Sequence, residues 1–197
     1  MPLIYLAGPE VFSPDARAQG AHLQALCAQA GLTGLYPLDG AAPQGEDAFT
    51  IRQRCIAFLN TADAVVANIS PFRGHHMDPG TAWEVGYAQA RGIPIHLWSS
   101  DLRTLRERIP ASHCADGWRD GEGYLVEDFG QTENLMICGP DTVVYSTPEA
   151  AIAAAADGLV HPAHIRAHTG LGLTFKVGIA MIASILASVL ARRLFGW

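Results

Sequence analysis

Short apolar runs alternate with longer segments that have helix signals, and this alternation constrains the fold of the chain more than any other feature. The strongest apolar run covers residues 62–69, and shorter runs cover residues 3–7 and 93–98. The predicted helices between and beside them cover residues 16–30, 47–60 and 79–91. Because strands and helices follow one another in turn, the pattern predicts an α/β fold. Its core would be an open parallel sheet of about five strands with helices on both faces.

The remaining elements of the domain give weaker signals. Residues 32–38 and 142–145 are interpreted as further strands, and residues 130–138 as a short helix. The stretch after Gly117 has a loop-like composition, and the alanine-rich residues 148–156 are predicted to form the last helix of the domain. These assignments divide the chain into a compact domain over residues 1–158 and a C-terminal extension over residues 159–197.

The C-terminal extension contains a long apolar run. Residues 177–191 carry no charge, and they are bounded by Lys176 and by Arg192-Arg193. This run predicts an apolar helix, but it is shorter than the roughly 20 residues that a membrane span needs. Two interpretations therefore stay open. Residues 171–197 form either a membrane anchor or a helix packed on the domain or on another subunit.

Composition narrows the class of partner and the compartment. The net charge of −6 leaves no basic stripe for a nucleic-acid polymer, so a small-molecule ligand is expected. The four cysteines include no CxxC pair, which favours reduced thiols over disulfides or a zinc site. The N-terminus lacks the basic region of a signal peptide. We therefore expect a cytoplasmic protein, with membrane association through the C-terminal helix as the alternative.

The run over residues 78–88 places a carboxylate, Glu84, inside an otherwise apolar helix start. Asp78 lies just before this helix, where unpaired backbone N–H groups favour anions. Ligands of open parallel sheets bind beyond the carboxyl ends of the strands, and Asp78 follows one of those ends. Two acids in one pocket suggest cleavage of a bond at a sugar carbon, with one carboxylate attacking that carbon.

Several motifs in a fixed order resemble the nucleoside 2-deoxyribosyltransferase family, over roughly residues 3–155. The motifs are Tyr5-Leu-Ala-Gly-Pro9 with Phe12, Asp63-Ala-Val-Val-Ala-Asn-Ile69, Pro71-Phe-Arg-Gly74, residues 78–88 and Asn134-Leu-Met136. The resemblance implies a Rossmann-like, flavodoxin-like sheet. It also implies transfer of a 2-deoxyribosyl group from a 2′-deoxynucleoside to a free nucleobase, as in nucleoside salvage, through a covalent glycosyl ester. No metal and no organic cofactor are expected.

The resemblance also implies roles for individual residues. Glu84 matches the family nucleophile, and Tyr5 matches the tyrosine that orients it. Asp78 matches the aspartate that holds the sugar 5′-hydroxyl together with an asparagine, here Asn134. Asn134 and Met136 would come from a neighbouring subunit, so a homo-oligomer with a shared site is expected.

The base end of the site departs from the family pattern. Gly8 and Phe12 follow the first strand and are expected to contact substrate. Many members place an acidic or amide residue opposite the base, whereas this chain has Cys55. Asp39 could substitute near the base, or it could serve only as a turn residue.

Two rival functions stay open at this point. The first is an N-glycosidase in which water completes the reaction on a deoxynucleoside or deoxynucleotide, although Asp78 would repel a 5′-phosphate. The second is a non-catalytic nucleotide sensor tethered to a membrane or partner by its C-terminal helix. The sensor predicts that Glu84→Ala is without effect, whereas either enzyme predicts loss of turnover.

Overall fold

The computed structural model describes residues 1–42 and 45–160. Its strands are β1 (Leu3–Ala7), β2 (Thr33–Leu35), β3 (Ala64–Asn68), β4 (Ile95–Trp98), β5 (Ala111–Cys114), β6 (Gly117–Asp120), β7 (Leu125–Val126) and β8 (Val144–Tyr145). Its α-helices are α1 (Ala16–Gln29), α2 (Ala48–Thr61), α3 (Pro79–Ala90), α4 (Leu105–Arg108) and α5 (Pro148–Val160). The three helices predicted in the first half are therefore present, with ends shifted by one residue.

Five of these strands form the predicted parallel sheet, in the order β2-β1-β3-β4-β8. All five residues of β3 are buried, as expected for the strongest predicted strand at the centre of a parallel sheet. The two weak strand predictions are also confirmed, in shortened form, as β2 and β8. The α/β architecture predicted from the alternation is thus the observed one.

Alternation along β1 decides which residues face which helix layer. Ile4 and Leu6 belong to a core cluster that includes side chains of α1 and α5. Tyr5 and Ala7 belong to the opposite cluster, which includes side chains of α2 and α3. Successive strand residues point to opposite faces of a sheet, so Tyr5 necessarily points towards the layer that contains α3.

A second, antiparallel sheet of β5, β6 and β7 contradicts the loop-like interpretation of the chain after Gly117. Its strands are half-exposed and lack the alternation of apolar residues that would have predicted them. Tertiary contacts hold them instead. The guanidinium of Arg106 lies 3.4 Å from the ring centre of Trp118, and His113 packs edge-on against the same ring.

The helix predicted over residues 130–138 is also wrong, because side chains capture the backbone groups that a helix would use. Glu127 accepts the N–H of Leu135, and the Asn134 side chain accepts the N–H of Met136. Such local side-chain hydrogen bonds compete with helix formation, and the segment makes only turns.

The last described helix, α5, continues to Val160, four residues beyond its predicted end. The predicted extension from residue 161 onward, with its apolar helix, lies outside the described residues. No helix within residues 1–42 and 45–160 is long and apolar enough to cross a membrane.

Candidate active site

A cavity of about 350 Å³ lies beyond the carboxyl end of β1, between the segment after that strand and the start of α3. Four of the residues predicted from the sequence line it together: Gly8, Phe12, Asp78 and Glu84. Both carboxylates are therefore on the wall of one cavity, which is the arrangement that the spacing of residues 78–88 suggested.

Glu84 lies on α3 and is held from below by Tyr5. The Tyr5 hydroxyl donates a hydrogen bond to Glu84 Oε1 at 2.5 Å, across a sequence separation of 79 residues. Tyr5 is fully buried, and its position in β1 aims it at the α3 layer. The contact fixes one carboxylate oxygen and leaves Oε2 free of that bond.

Burial of Glu84 raises the pKa of its carboxyl group to about 7. The hydrogen bond from Tyr5 lowers this pKa, and the nearby charge of Asp78 raises it. Burial, followed by the charge of Glu84, also raises the pKa of the Tyr5 phenol far above its usual range. Tyr5 therefore remains a protonated donor, while Glu84 changes its charge near neutral pH.

Asp78 lies just before α3, as expected, and its side chain caps the helix N-terminus. Its Oδ2 accepts the backbone N–H of Thr81 at 2.8 Å and the Thr81 hydroxyl at 3.0 Å. Pro79 occupies the first helical turn, where its missing N–H costs nothing. Both cap bonds end on Oδ2, so the other oxygen of this largely buried side chain remains available to a ligand.

Gly8 allows the chain after β1 to approach β3 closely. A Cβ at this position would lie 2.0 Å from Glu10 Oε2 and 3.0 Å from the Cβ of Asn68. Glu10 in turn accepts a hydrogen bond of 2.6 Å from the Asn68 side chain. A side chain at Gly8 would therefore displace the Glu10 carboxylate from its position beside Asn68.

Phe12 stands at the mouth of the cavity with 54% of its surface exposed. Its ring stacks on Phe72, with 5.4 Å between ring centres. The Arg73 guanidinium lies 5.3 Å from the ring centre of Phe12 and 4.7 Å from that of Phe72. The loop before α3 thus meets the segment after β1 above the cavity.

One part of the cavity wall is mostly apolar, with Val11, Leu38 and Ile51 beside Cys55. Burial raises the pKa of the Cys55 thiol, which also interacts with the Tyr5 hydroxyl. Cys55 is therefore a neutral thiol at physiological pH. It supplies no permanent charge to the cavity wall.

Comparison with known proteins decides the family. The family model described as nucleoside 2-deoxyribosyltransferase matches residues 4–136. The chain belongs to this family. A solved 2-desoxiribosyltransferase from Leishmania mexicana is 36% identical, with a TM-score of 0.68 over 80% of this chain and 98% of that one. An uncharacterized protein of Schizosaccharomyces pombe, C191.05c, is 30% identical over 71% of this chain and 76% of its own length.

The structure does not bring Asp39 into the cavity with the other predicted residues. Its Oδ2 accepts the backbone N–H of Tyr36 at 2.9 Å and the side-chain amide of Gln24 at 2.8 Å. Pro37 and Leu38 line the cavity instead. The turn interpretation of Asp39 accounts for these contacts.

Asn134 and Met136, the remaining residues matched to the transferase family, also lie apart from the cavity of their own chain. Asn134 donates to Glu127 at 2.6 Å, and Met136 is 73% exposed. Their assignment to the site of a neighbouring subunit stays a prediction.

Sequence reasoning missed one buried carboxylate beside these residues. Glu133 is 1% exposed and contacts both its own loop and the segment that leads into Asp78. Its place directly before the Asn134-Leu-Met136 motif was the only available signal. Within residues 1–42 and 45–160, no group of three or more His, Cys, Asp or Glu side chains could hold a metal ion.

Proposed function

We propose that this protein is a nucleoside 2-deoxyribosyltransferase that moves a 2-deoxyribosyl group between nucleobases through an ester on Glu84. The observation that carries the proposal is the buried Tyr5–Glu84 hydrogen bond on the wall of a cavity that also exposes Asp78. Family membership supports the same reaction, as does the likeness to the Leishmania mexicana 2-desoxiribosyltransferase.

In the first half-reaction the ionised Glu84 carboxylate attacks the anomeric carbon of a 2′-deoxynucleoside. The carbon–nitrogen bond breaks, and the base leaves with the bonding electron pair and takes up a proton. In the second half-reaction a ring nitrogen of another base attacks the same carbon and loses its proton, which regenerates the Glu84 carboxylate. Asp78 holds the sugar by accepting a hydrogen bond from its 5′-hydroxyl.

Tyr5 contributes to the proposed reaction through its hydrogen bond to Glu84. Its hydroxyl orients the Glu84 carboxylate and stabilises the ionised form that must attack. Glu84 loses its charge when the ester forms, so the low-polarity surroundings that raise its pKa also favour the ester over the free carboxylate. These surroundings make the carboxylate more reactive than it would be in water.

Cys55 bears on the departure of the base. It lines the cavity, and burial raises the pKa of its thiol, so the thiol keeps its proton at neutral pH. We propose that the apolar wall around it accepts the flat faces of nucleobases, and that the thiol is a weak donor to the departing base. We further propose that Asn134 and Met136 complete the site of a neighbouring subunit in a homo-oligomer.

Incubation with deoxyinosine, with and without free cytosine, tests the proposed reaction, with products separated by chromatography. The expected result is deoxycytidine that forms only with cytosine present and is lost in Glu84→Ala. Glu122→Ala, which removes an exposed carboxylate in a turn of the second sheet, is the matched control and should retain wild-type turnover.

Two results would contradict the proposal. Free deoxyribose released at the same rate with or without cytosine would make the protein a hydrolase. Nucleoside binding without any product, unchanged by Glu84→Ala, would make it a sensor.

A further inference from the structure

A fully buried carboxylate outside the cavity joins two loops that the proposed mechanism uses. Glu133 lies in the loop between β7 and β8, and it contacts the segment that leads from β3 into α3. This segment ends at Asp78, and the loop of Glu133 continues into Asn134. Asp78 and Asn134 are the two residues assigned to the sugar 5′-hydroxyl. Glu133 accepts the N–H of Met77, which directly precedes Asp78, and the N–H of Asn134 itself.

Both oxygens of Glu133 are occupied by groups of these segments. Oε1 lies 2.8 Å from Nδ1 of His76 and accepts the backbone N–H of Asn134 at 3.0 Å. Oε2 accepts the backbone N–H of Met77 at 2.9 Å and a hydrogen bond from Arg108 at 3.4 Å. Met77 immediately precedes Asp78, so the bond to its N–H fixes the backbone at the entrance to the α3 cap.

The buried Arg108–Glu133 ion pair is not explained by a gain in folding stability. Arg108 is 5% exposed, and its Nε and Nη1 have no hydrogen-bond partner among the described residues. An incompletely satisfied buried ion pair often contributes less stability than apolar residues of similar volume would. The pair does, however, place the Arg108 guanidinium against Glu133 Oε2, the oxygen that also accepts the backbone N–H of Met77, and hydrogen bonds within an ion pair are stronger than neutral ones.

We propose that Glu133 is a positioning residue that fixes Asp78 in the site of its own chain and Asn134 for the site of the neighbouring subunit, so that each can hold the 5′-hydroxyl of a bound nucleoside. This inference rests on the proposed function, because the 5′-hydroxyl matters only if a nucleoside occupies the cavity. Glu133 does not touch the substrate; it acts through the backbone N–H groups of Met77 and Asn134. Its loss should therefore weaken recognition of one hydroxyl and leave the attack of Glu84 intact.

Comparison of 2′-deoxyinosine with 2′,5′-dideoxyinosine isolates this hydroxyl. In Glu133→Gln, one acceptor oxygen becomes an amide donor that faces existing donors. We expect kcat/KM for 2′-deoxyinosine to fall about tenfold, the value of one hydrogen bond to a charged group. The value for 2′,5′-dideoxyinosine should stay within about twofold. Asp78→Ala should show the same selectivity, and adding Glu133→Gln to it should cause little further loss.

Two further variants keep the test decisive. Arg108→Met combined with Glu133→Gln removes both buried charges at once and answers the question if the single variant does not fold. Asp63→Asn is the matched control, because its carboxylate also accepts a backbone N–H, that of Leu3 at 2.8 Å, at the far end of the sheet. It should leave the ratio between the two nucleosides unchanged.

Equal losses for both nucleosides in the folded Glu133 variants would overturn the inference and leave Glu133 with a purely structural role. The affinities of both nucleosides are also measured in the Glu84→Ala background, where no reaction interferes. If the wild-type protein shows no base exchange, the proposed function fails. In that case, tighter binding of the nucleoside with a 5′-hydroxyl that is lost in Glu133→Gln would still support the positioning role. If the protein binds both nucleosides equally, or if Glu133→Gln leaves the preference unchanged, the positioning role is overturned as well.

Discussion

The Tyr5–Glu84 hydrogen bond joins a central strand to the second turn of a helix, and it sets the state of the candidate nucleophile. Without Tyr5, burial and the charge of Asp78 would act on Glu84 unopposed, and both raise the pKa of its carboxyl group. At a pKa of about 7 the carboxylate is ionised in a substantial fraction of molecules at neutral pH. The phenol therefore increases the fraction of the protein in which Glu84 is ionised and, under the proposed mechanism, able to attack.

Tyr5→Phe tests this effect. The change removes the hydrogen bond that lowers the Glu84 pKa, so the folded protein should bind this proton more tightly. Because activity requires the ionised carboxylate, the acidic limb of the pH profile of kcat/KM should move to higher pH, and the rate at neutral pH should fall.

Tyr87→Phe is the matched control, because the Tyr87 hydroxyl donates to Asn60 on the outer side of α3. It should leave the profile in place. An acidic limb that stays unmoved in Tyr5→Phe would show that the phenol does not set the ionisation of Glu84.

Among the elements, the start of α3 combines a helix cap with the residue that we propose binds the substrate, Asp78. Asp78 accepts the otherwise unpaired N–H of Thr81 and also lines the cavity. Gly80 belongs to the same turn, and a Cβ there would lie 3.0 Å from Asp78 Oδ2. The small residue after Pro79 thus leaves room for the carboxylate.

Thr81→Val tests whether this turn holds Asp78 in place. Valine keeps the shape and the backbone N–H but removes the hydroxyl that donates to Asp78 Oδ2 at 3.0 Å. We expect a loss of about 1 kcal/mol in the free energy of unfolding and a several-fold rise in KM for deoxynucleosides, with kcat changed less. Denaturant unfolding and steady-state kinetics measure the two effects.

Thr61→Val is the control for this substitution, because the Thr61 hydroxyl bonds only to a carbonyl at the exposed end of α2. An unchanged KM in Thr81→Val would mean that the backbone cap alone positions Asp78.

Sequence reasoning succeeded for the elements whose burial leaves a pattern. Parallel strands buried on both faces appear as continuous apolar runs, so β1, β3 and β4 were recognised directly. The antiparallel sheet escaped because contacts such as Arg106 on Trp118 replace an apolar pattern. Glu133 escaped for a similar reason, since its partner Met77 lies 56 residues away in the chain.

At the scale of the whole molecule, the parallel sheet places the ends of β1 and β3 side by side and so assembles one cavity from distant segments. The segment from Tyr5 to Phe12 contributes the hydrogen bond to Glu84 and part of the cavity lining, and the start of α3 contributes the two carboxylates. The roles proposed for Tyr5, Asp78 and Glu84 all depend on their positions at this edge of the sheet. The ester on Glu84 is the step on which the whole account depends.

Mass spectrometry of the acid-quenched protein tests that step most directly. The protein is mixed with deoxyinosine without an acceptor base, quenched, digested and examined for the peptide that contains Glu84. The account predicts a mass increase of one 2-deoxyribosyl group on Glu84, which disappears when cytosine is added before the quench. Base exchange in the chromatographic assay without any such adduct, or an adduct on another residue, would contradict it.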